Sequence, residues 1–297
     1  MESASVSSFE VAGHRFEVEF PAQELPDALL KAYGPFETAA RGGEPLFRLR
    51  SRTCADPCAG CGEPVRRFNA EAPYLWVCGG SGLTFGFSVS GERPDFILRL
   101  SDDFREGCMD LPEHCPGGLL AFAVNNSSMF MYMLGSAGLD TLLIHASAVL
   151  HDGHAYAFTG RSGSGKSTHS RLWLQNVEGT ELMNDDNPVV RVYGGQAVLY
   201  GSPWSGKTPC WKKVQAPLKA VVHIFQAPEN RIERLSGIRA YASFITSCSN
   251  MRWNRKVADG INACVEKLLG VCGIYELYCL PDRDAALLCR STVSGEA

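Results

Sequence analysis

Residues 160–168 read Gly160-Arg161-Ser162-Gly163-Ser164-Gly165-Lys166-Ser167-Thr168. The pattern is Gly-x-x-x-x-Gly-Lys-Ser, the phosphate-cradling loop of ATP- and GTP-using proteins. Its chemistry is local. Gly160, Gly163 and Gly165 let the backbone curl until successive amide N–H groups face inward as an anion nest. Lys166 then reaches the β- and γ-phosphates, the Ser167 hydroxyl ligates Mg²⁺, and the following helix turns its positive end to the same phosphates. The pattern requires a strand before it and a helix after it. His154–Thr159 is a short apolar, aromatic run ending in the loop, and Thr168–Asn176 sets Leu172 and Leu174 among polar residues at a helix start. The expected ligand is therefore a nucleotide, held by the nine residues from Gly160 to Thr168. The plain alternative is a Gly/Ser-rich surface loop.

The rest of the chain narrows the class. Its 297 residues, 45% hydrophobic and 20% charged, suit one large domain or a small one beside a larger one. A formal charge of −4 with scattered Lys and Arg gives no electrostatic case for a nucleic acid or an anionic membrane. Met1–Glu10 has neither a basic region nor an apolar core, so no signal peptide is expected and the location reads as cytoplasmic. Leu119–Val149, the longest apolar region, is broken by Asn125, Asn126, Asp140 and His145 and reads as a buried helix followed by a strand. In a reducing compartment the twelve cysteines are expected to be thiols. Cys264, Cys272, Cys279 and Cys289 read as small buried hydrophobes.

The organisation expected is α/β: a β-rich part over 1–117, with a role in substrate or partner recognition, and a phosphate-loop kinase-like domain over 118–297. Strands are predicted at His14–Phe20, Pro45–Arg50, Tyr74–Cys78, Leu83–Val89 and Asp95–Leu100, with a helical turn at Ala28–Tyr33. Leu119–Leu134 has helical length. A hairpin is predicted from Leu142–Leu150 and His154–Thr159 around Asp152-Gly153. Glu181–Tyr193, Gln196–Tyr200, Leu218–Phe225, Ile274–Leu280 and Ala286–Cys289 read as strands, and Ile238–Cys248 and Arg255–Val271 as helices.

A nucleotide loop needs a metal partner and, for transfer to a hydroxyl, a base. Asp185 and Asp186, inside Asn184-Asp185-Asp186-Asn187, supply two adjacent carboxylates. One can hold Mg²⁺ (or Mn²⁺) with Ser167, and the other can take a proton from the attacking hydroxyl. An Asx turn or a helix cap is the structural alternative for such a pair. His145, in Ile144-His145-Ala146-Ser147, lies on the strand whose hairpin partner enters the loop, within reach of the loop's mouth. On its own a histidine in a strand is more often a satisfied core residue.

Three motifs in this order, His145-Ala146-Ser147-Ala148-Val149, the Gly160–Thr168 loop and Leu182-Met183-Asn184-Asp185-Asp186, resemble the superfamily of HPr serine kinase/phosphorylase and ATP-dependent phosphoenolpyruvate carboxykinase. The similarity is greatest to the HPr-kinase-related proteins of bacteria. Gly201-Ser202-Pro203-Trp204-Ser205-Gly206-Lys207 and the stretch from Phe225 to Leu235 look like that subgroup, and the resemblance spans about residues 118–285. It implies that His145 and Asp186 ligate a divalent metal, that the aspartate pair activates a serine-like hydroxyl, and that Lys207 contacts phosphate or substrate. It also implies a homo-oligomer, without a subunit count. The carboxykinase substrate domain has no room in this chain, and the glycine- and arginine-rich loop of HPr kinase is missing after the aspartates. Neither HPr phosphorylation nor carbon dioxide chemistry is therefore expected.

The function expected is ATP-dependent phosphoryl transfer to a hydroxyl of a small molecule, peptide or protein. The alternative is an ATPase or nucleotide-gated binding protein in a peptide-maturation or regulatory system. Acceptor specificity is expected in the β-rich part and in Tyr200–Val214. Cys54, Cys58 and Cys61 have a C-x₃-C-x₂-C spacing, and with Cys78 they suggest a structural Zn²⁺ site. A radical S-adenosylmethionine enzyme shares that spacing but would need a strand–helix barrel, which is absent from the pattern.

Overall fold

The computed structural model describes residues 5–295 except 22–23, 41, 63, 69–73, 80–81 and 207, so Lys207 lies outside the described residues. The chain is mixed α/β, with two sheets and six α-helices among the described residues. It divides into two compact units, Met1–Gly135 and Ser136–Ala297. The division falls after the long helix that the sequence reading had assigned to the second part.

The first unit contains β1 (Ser5–Val11), β2 (His14–Phe20), α1 (Asp27–Tyr33), β3 (Arg48–Cys54), β4 (Pro64–Phe68), β5 (Tyr74–Cys78), β6 (Leu83–Ser88), β7 (Phe96–Leu100), β8 (Glu106–Pro112) and α2 (Gly117–Ser136). Its sheet runs β1-β2-β3-β8-β7-β6-β5-β4. Alternation along β2 sends Phe16, Val18 and Phe20 into the core. Leu120, Ala123, Val124, Ser127, Ser128, Met131 and Tyr132 recur at helical spacing on the buried stripe of α2. That is why α2 belongs here. Phe130 meets Phe85 at 4.8 Å, Phe122 meets Phe96 at 5.9 Å, and the Tyr132 hydroxyl donates to the Val11 carbonyl at 3.0 Å.

The second unit contains β9 (Thr141–Leu143), β10 (Ala146–His151), β11 (His154–Thr159), α3 (Lys166–Asn176), β12 (Glu181–Asp186), β13 (Val189–Tyr193), β14 (Gln196–Tyr200), β15 (Gln215–Gln226), β16 (Arg231–Leu235), α4 (Gly237–Ile245), α5 (Arg255–Leu269), β17 (Gly273–Cys279) and α6 (Arg283–Ser294). β15 is its spine. Leu218–His223 pairs in parallel with β11, Ala220–Gln226 in parallel with β17, and Gln215–Pro217 antiparallel with β14. β10 joins β11 to β12, β16 closes the far edge on β17, and β13 links β14 to β9. One face of this sheet buries Phe158, Val222, Ile224, Tyr275 and Leu277 against Trp173 of α3 and Ala285, Ala286 and Cys289 of α6.

Three expectations need correction. Glu181–Tyr193 is two strands, β12 paired with β10 and β13 paired with β14 and β9, because the chain changes partners at Asn187-Pro188. Ala286–Cys289 is helical, not a strand: the Asp282 side chain caps α6 by accepting from the Ala285 amide at 2.9 Å. Ala285, Ala286, Cys289 and Val293 then fall on one buried helical face. The strand expected over Leu142–Leu150 is two strands, because the chain changes partners at Ile144-His145. The His145 amide donates to the Ser247 carbonyl at 2.7 Å, and the Ile144 amide to the Pro188 carbonyl at 3.2 Å.

Candidate functional site

The site begins where β11 ends. Gly160 has φ 140°, and a Cβ there would stand 2.5 Å from the Ser164 hydroxyl and 3.0 Å from the Ile224 carbonyl, so the close turn requires glycine. Gly165 is left-handed, with φ 105°, at the position preceding α3, which frees the chain to turn directly into the helix. The strand–loop–helix context read from the sequence is thus present, with α3 starting at Lys166.

Lys166 is buried, and its ammonium donates to the Gly160 and Arg161 carbonyls at 3.2 and 3.3 Å. Burial draws its pKa below the ordinary lysine value, against the opposite pull of Asp186 and Asp185. The lysine is folded back over the loop, within the field of both carboxylates. Ser167 donates to the Asp185 carboxylate at 2.8 Å. Asp186 lies 3.0 Å from His145 Nδ1 and accepts from the Asn187 amide group at 2.8 Å. The structure therefore gathers Lys166, Ser167, Asp185, Asp186 and His145 around one end of the loop.

The aspartates owe their placement to a tied turn. Asn184 donates to Ser202, the Ser202 hydroxyl donates to the Asn187 carbonyl at 2.6 Å, and the Gly206 amide donates to the Asp185 carbonyl at 2.7 Å. Asp186 has φ 140°, in a region that side-chain-bearing residues rarely adopt, at a cost of order 1–3 kcal/mol. Such strain persists only where the surroundings over-determine it.

The oxygen-rich donors Ser167, Asp185 and Asp186, with His145 beside them, suit a hard divalent cation. Among the described residues no three His, Cys, Asp or Glu side chains form a metal cage. Mg²⁺ commonly binds in the complementary way, through one or two carboxylates, waters and substrate phosphates. The residues present fit that mode.

Two cavities flank the loop within the second unit. One, about 400 Å³, is bordered by Gly163, Gly165 and Thr168 of the loop region and by Leu172, Ala227, Leu280 and Pro281. The other, about 450 Å³, is bordered by His145, Gly160 and Arg161 and by His223, Arg239 and Glu276. Sequence reading missed His223, Arg239 and Glu276. The registers Ala146–Asp186, Ala146–Thr159, Thr159–His223 and His223–Glu276 set His223 and Glu276 in one row with Asp186, across strands far apart in sequence, and Arg239 comes from α4.

Outside this site, Cys61 and Cys78 are joined by a disulfide, a departure from the all-thiol expectation. Cys54 and Cys58 are thiols whose pKa values burial pushes up, donating to the Leu111 and Pro94 carbonyls at 3.6 and 3.5 Å. Cys264, Cys272, Cys279 and Cys289 are buried thiols, as expected, with burial raising Cys264 and Cys272 to about 12. Among the described residues no helix is long and apolar enough to cross a membrane.

No family model matches the chain, and no curated protein matches it. Among solved structures it is similar to the Hpr(Ser) kinase/phosphatase from Coxiella burnetii, at 12% identity, over 52% of this chain and 95% of that one, with a TM-score of 0.31.

Proposed function

We propose that this protein is an ATP-dependent phosphotransferase that moves the γ-phosphoryl group to a hydroxyl. The observation carrying this reading is the convergence of Ser167 with Asp185 at 2.8 Å, and of Asp186 with His145 at 3.0 Å, at the mouth of a Gly160–Ser167 loop that opens helix α3. The loop amides and Lys166 hold the phosphates. Lys166 leaves the Gly160 and Arg161 carbonyls for the stronger charge-assisted contact. The more apolar cavity beside Thr168 and Leu172 takes the nucleoside. Ser167, Asp185 and Asp186 would hold Mg²⁺, which when bound neutralises phosphate charge.

The chemistry balances simply. The acceptor oxygen attacks the γ-phosphorus, the bond from that phosphorus to the β–γ bridging oxygen breaks, and ADP leaves. The hydroxyl proton passes to the Asp186 carboxylate, which the His145 Nδ1–H donor orients. Because such transition states are loose, positioning and charge neutralisation supply most of the acceleration.

The test is transfer of label from γ-³²P-ATP with Mg²⁺ into small-molecule, peptide and protein fractions, beside Asp186→Ala. Label reaching an acceptor only with the intact protein supports the kinase reading. Orthophosphate alone, equal with and without acceptors, replaces it with the ATPase reading.

A further inference from the structure

A cavity of about 450 Å³ opens on the His145 side of the loop. Its floor is the sheet face opposite the Trp173 core: His223 and Phe225 share that face of β15, alternating with the core residues Val222 and Ile224, and Glu276 faces His223 from β17. Its wall is α4, which contributes Arg239, Ala242 and Ser243, followed by Thr246. Its mouth is Gly160, Arg161 and His145, the edge of the loop itself. Parallel strands β11, β15 and β17 all end here, the place where open α/β sheets bind ligands.

The lining is rich in charged groups. Arg161 and Arg239 supply two guanidiniums and Glu276 one carboxylate. Glu276 is already engaged, accepting from the Tyr278 hydroxyl at 3.1 Å and lying 3.7 Å from Arg239. Glu233, on β16 next to Glu276, holds Arg239 Nη2 at 2.7 Å. Both acids meet the same nitrogen, so that among the described residues the Nε and Nη1 donors of a rigid fork remain for another anion. His223 is held neutral, since burial lowers its pKa and Lys166 and Arg161 lower it further, against Glu276. The Ser243 hydroxyl is buried and makes no hydrogen bond among the described residues. Ser243 stands one turn after Arg239 on α4, and an unpaired hydroxyl together with guanidinium donors matches a carboxylate.

We infer that this cavity is the acceptor pocket, and that it takes a small free carboxylate bearing a hydroxyl group, anchored at Arg239 and Ser243 with its hydroxyl toward Asp186 and His145. The inference rests on the phosphotransferase reading and sharpens it. A cavity of this size encloses a metabolite, whereas a folded protein acceptor is recognised over a far larger surface. The bonds made and broken are those above, and the products are ADP and the phosphate monoester of the carboxylate.

The experiment follows label from γ-³²P-ATP with Mg²⁺ into D-glycerate, L-serine, glycerol, ethanolamine and N-acetyl-serine amide at equal concentrations, and into a protein-free metabolite extract. Label is expected on carboxylates, in the panel or as a carboxylate product from the extract, and not on glycerol, ethanolamine or the capped serine. Arg239→Gln is expected to raise acceptor KM at least tenfold, with MgATP Kd moving less than twofold and Arg239→Lys recovering part of the loss. Equal labelling of glycerol or the capped serine, label confined to proteins, or an unchanged KM in Arg239→Gln overturns the pocket and leaves phosphotransfer standing. Hydrolysis with no labelled acceptor of any kind, or no MgATP binding, overturns both.

Discussion

Asp110 and the Asp185–Asp186 pair are two ways of placing carboxylates inside one chain. Asp110, 1% exposed on β8, is clamped by Arg52 at 2.7 Å and Arg99 at 2.8 Å. Each of its oxygens has a guanidinium, so the charge is spent on the fold. Among the described residues, the Asp185 and Asp186 carboxylates meet a hydroxyl, a histidine and an amide, while the nearby Lys166 ammonium rests on carbonyls. There the carboxylates and the cation stay available. The difference teaches that a buried acid marks function where its neighbours leave it under-neutralised, and marks structure where they close the account.

Lys166→Met should break the comparison most sharply. Phosphoryl transfer is expected to fall by about 10³-fold or more, since the loop loses its charge on the phosphates. The melting temperature should hold or rise, because a cation disfavoured by burial is removed; thermal denaturation beside a transfer assay checks both. A melting temperature that drops with activity would show Lys166 to be a structural cation.

Asp186→Gly comes next, with transfer expected to fall about 10²–10⁴-fold through loss of the base. Glycine adopts φ 140° without strain, so denaturant unfolding should show stability unchanged or raised by about 1 kcal/mol. Loss of more than about 1 kcal/mol would mean that the contact with His145 holds the fold.

Asp110→Ala should do the reverse. Removing the clamped acid is expected to cost about 3 kcal/mol in urea unfolding, with MgATP affinity unchanged. A cost under about 0.5 kcal/mol would place Asp110 with surface ion pairs.

The smallest effect is a pH dependence at His169, whose pKa burial lowers to about 4 from 6.5. The unfolded histidine binds a proton below about pH 6.5 and the folded one does not, so stability is full above that pH and declines as pH falls toward 4. The decline by pH 5 is worth about 2 kcal/mol at 1.4 kcal/mol per pH unit. Unfolding at pH 8 and pH 5 should show a smaller decline in His169→Gln, whose side chain keeps an acceptor for the Trp173 indole N–H. An equal slope in both proteins would assign the decline to other groups.

How much was legible follows from what each signal depends on. The Gly160–Ser167 loop, helix α3 and the aspartate pair could be read directly, because glycine torsions, helix initiation and adjacent carboxylates act within a few residues. The helix over Arg283–Ser294 was missed over Ala286–Cys289, although the capping signal, Asp282 three residues before Ala285, stood in the sequence. A short apolar run has no period of its own. No local signal could have shown that the strand predicted through His145 breaks there, since its cause is pairing with Ser247.

The sequence by itself determined that a glycine-rich loop would turn into a helix with Lys166 and Ser167 at its start, and that Asp185 and Asp186 would stand together. Only the tertiary structure decided what surrounds them. Strand register set Thr159, His223 and Glu276 in one row with Asp186, and α4 brought Arg239 over that row. Local torsional preference is written residue by residue, whereas register is fixed by burial of a whole face. Neighbours assembled in that way have no spacing that a linear reading can find.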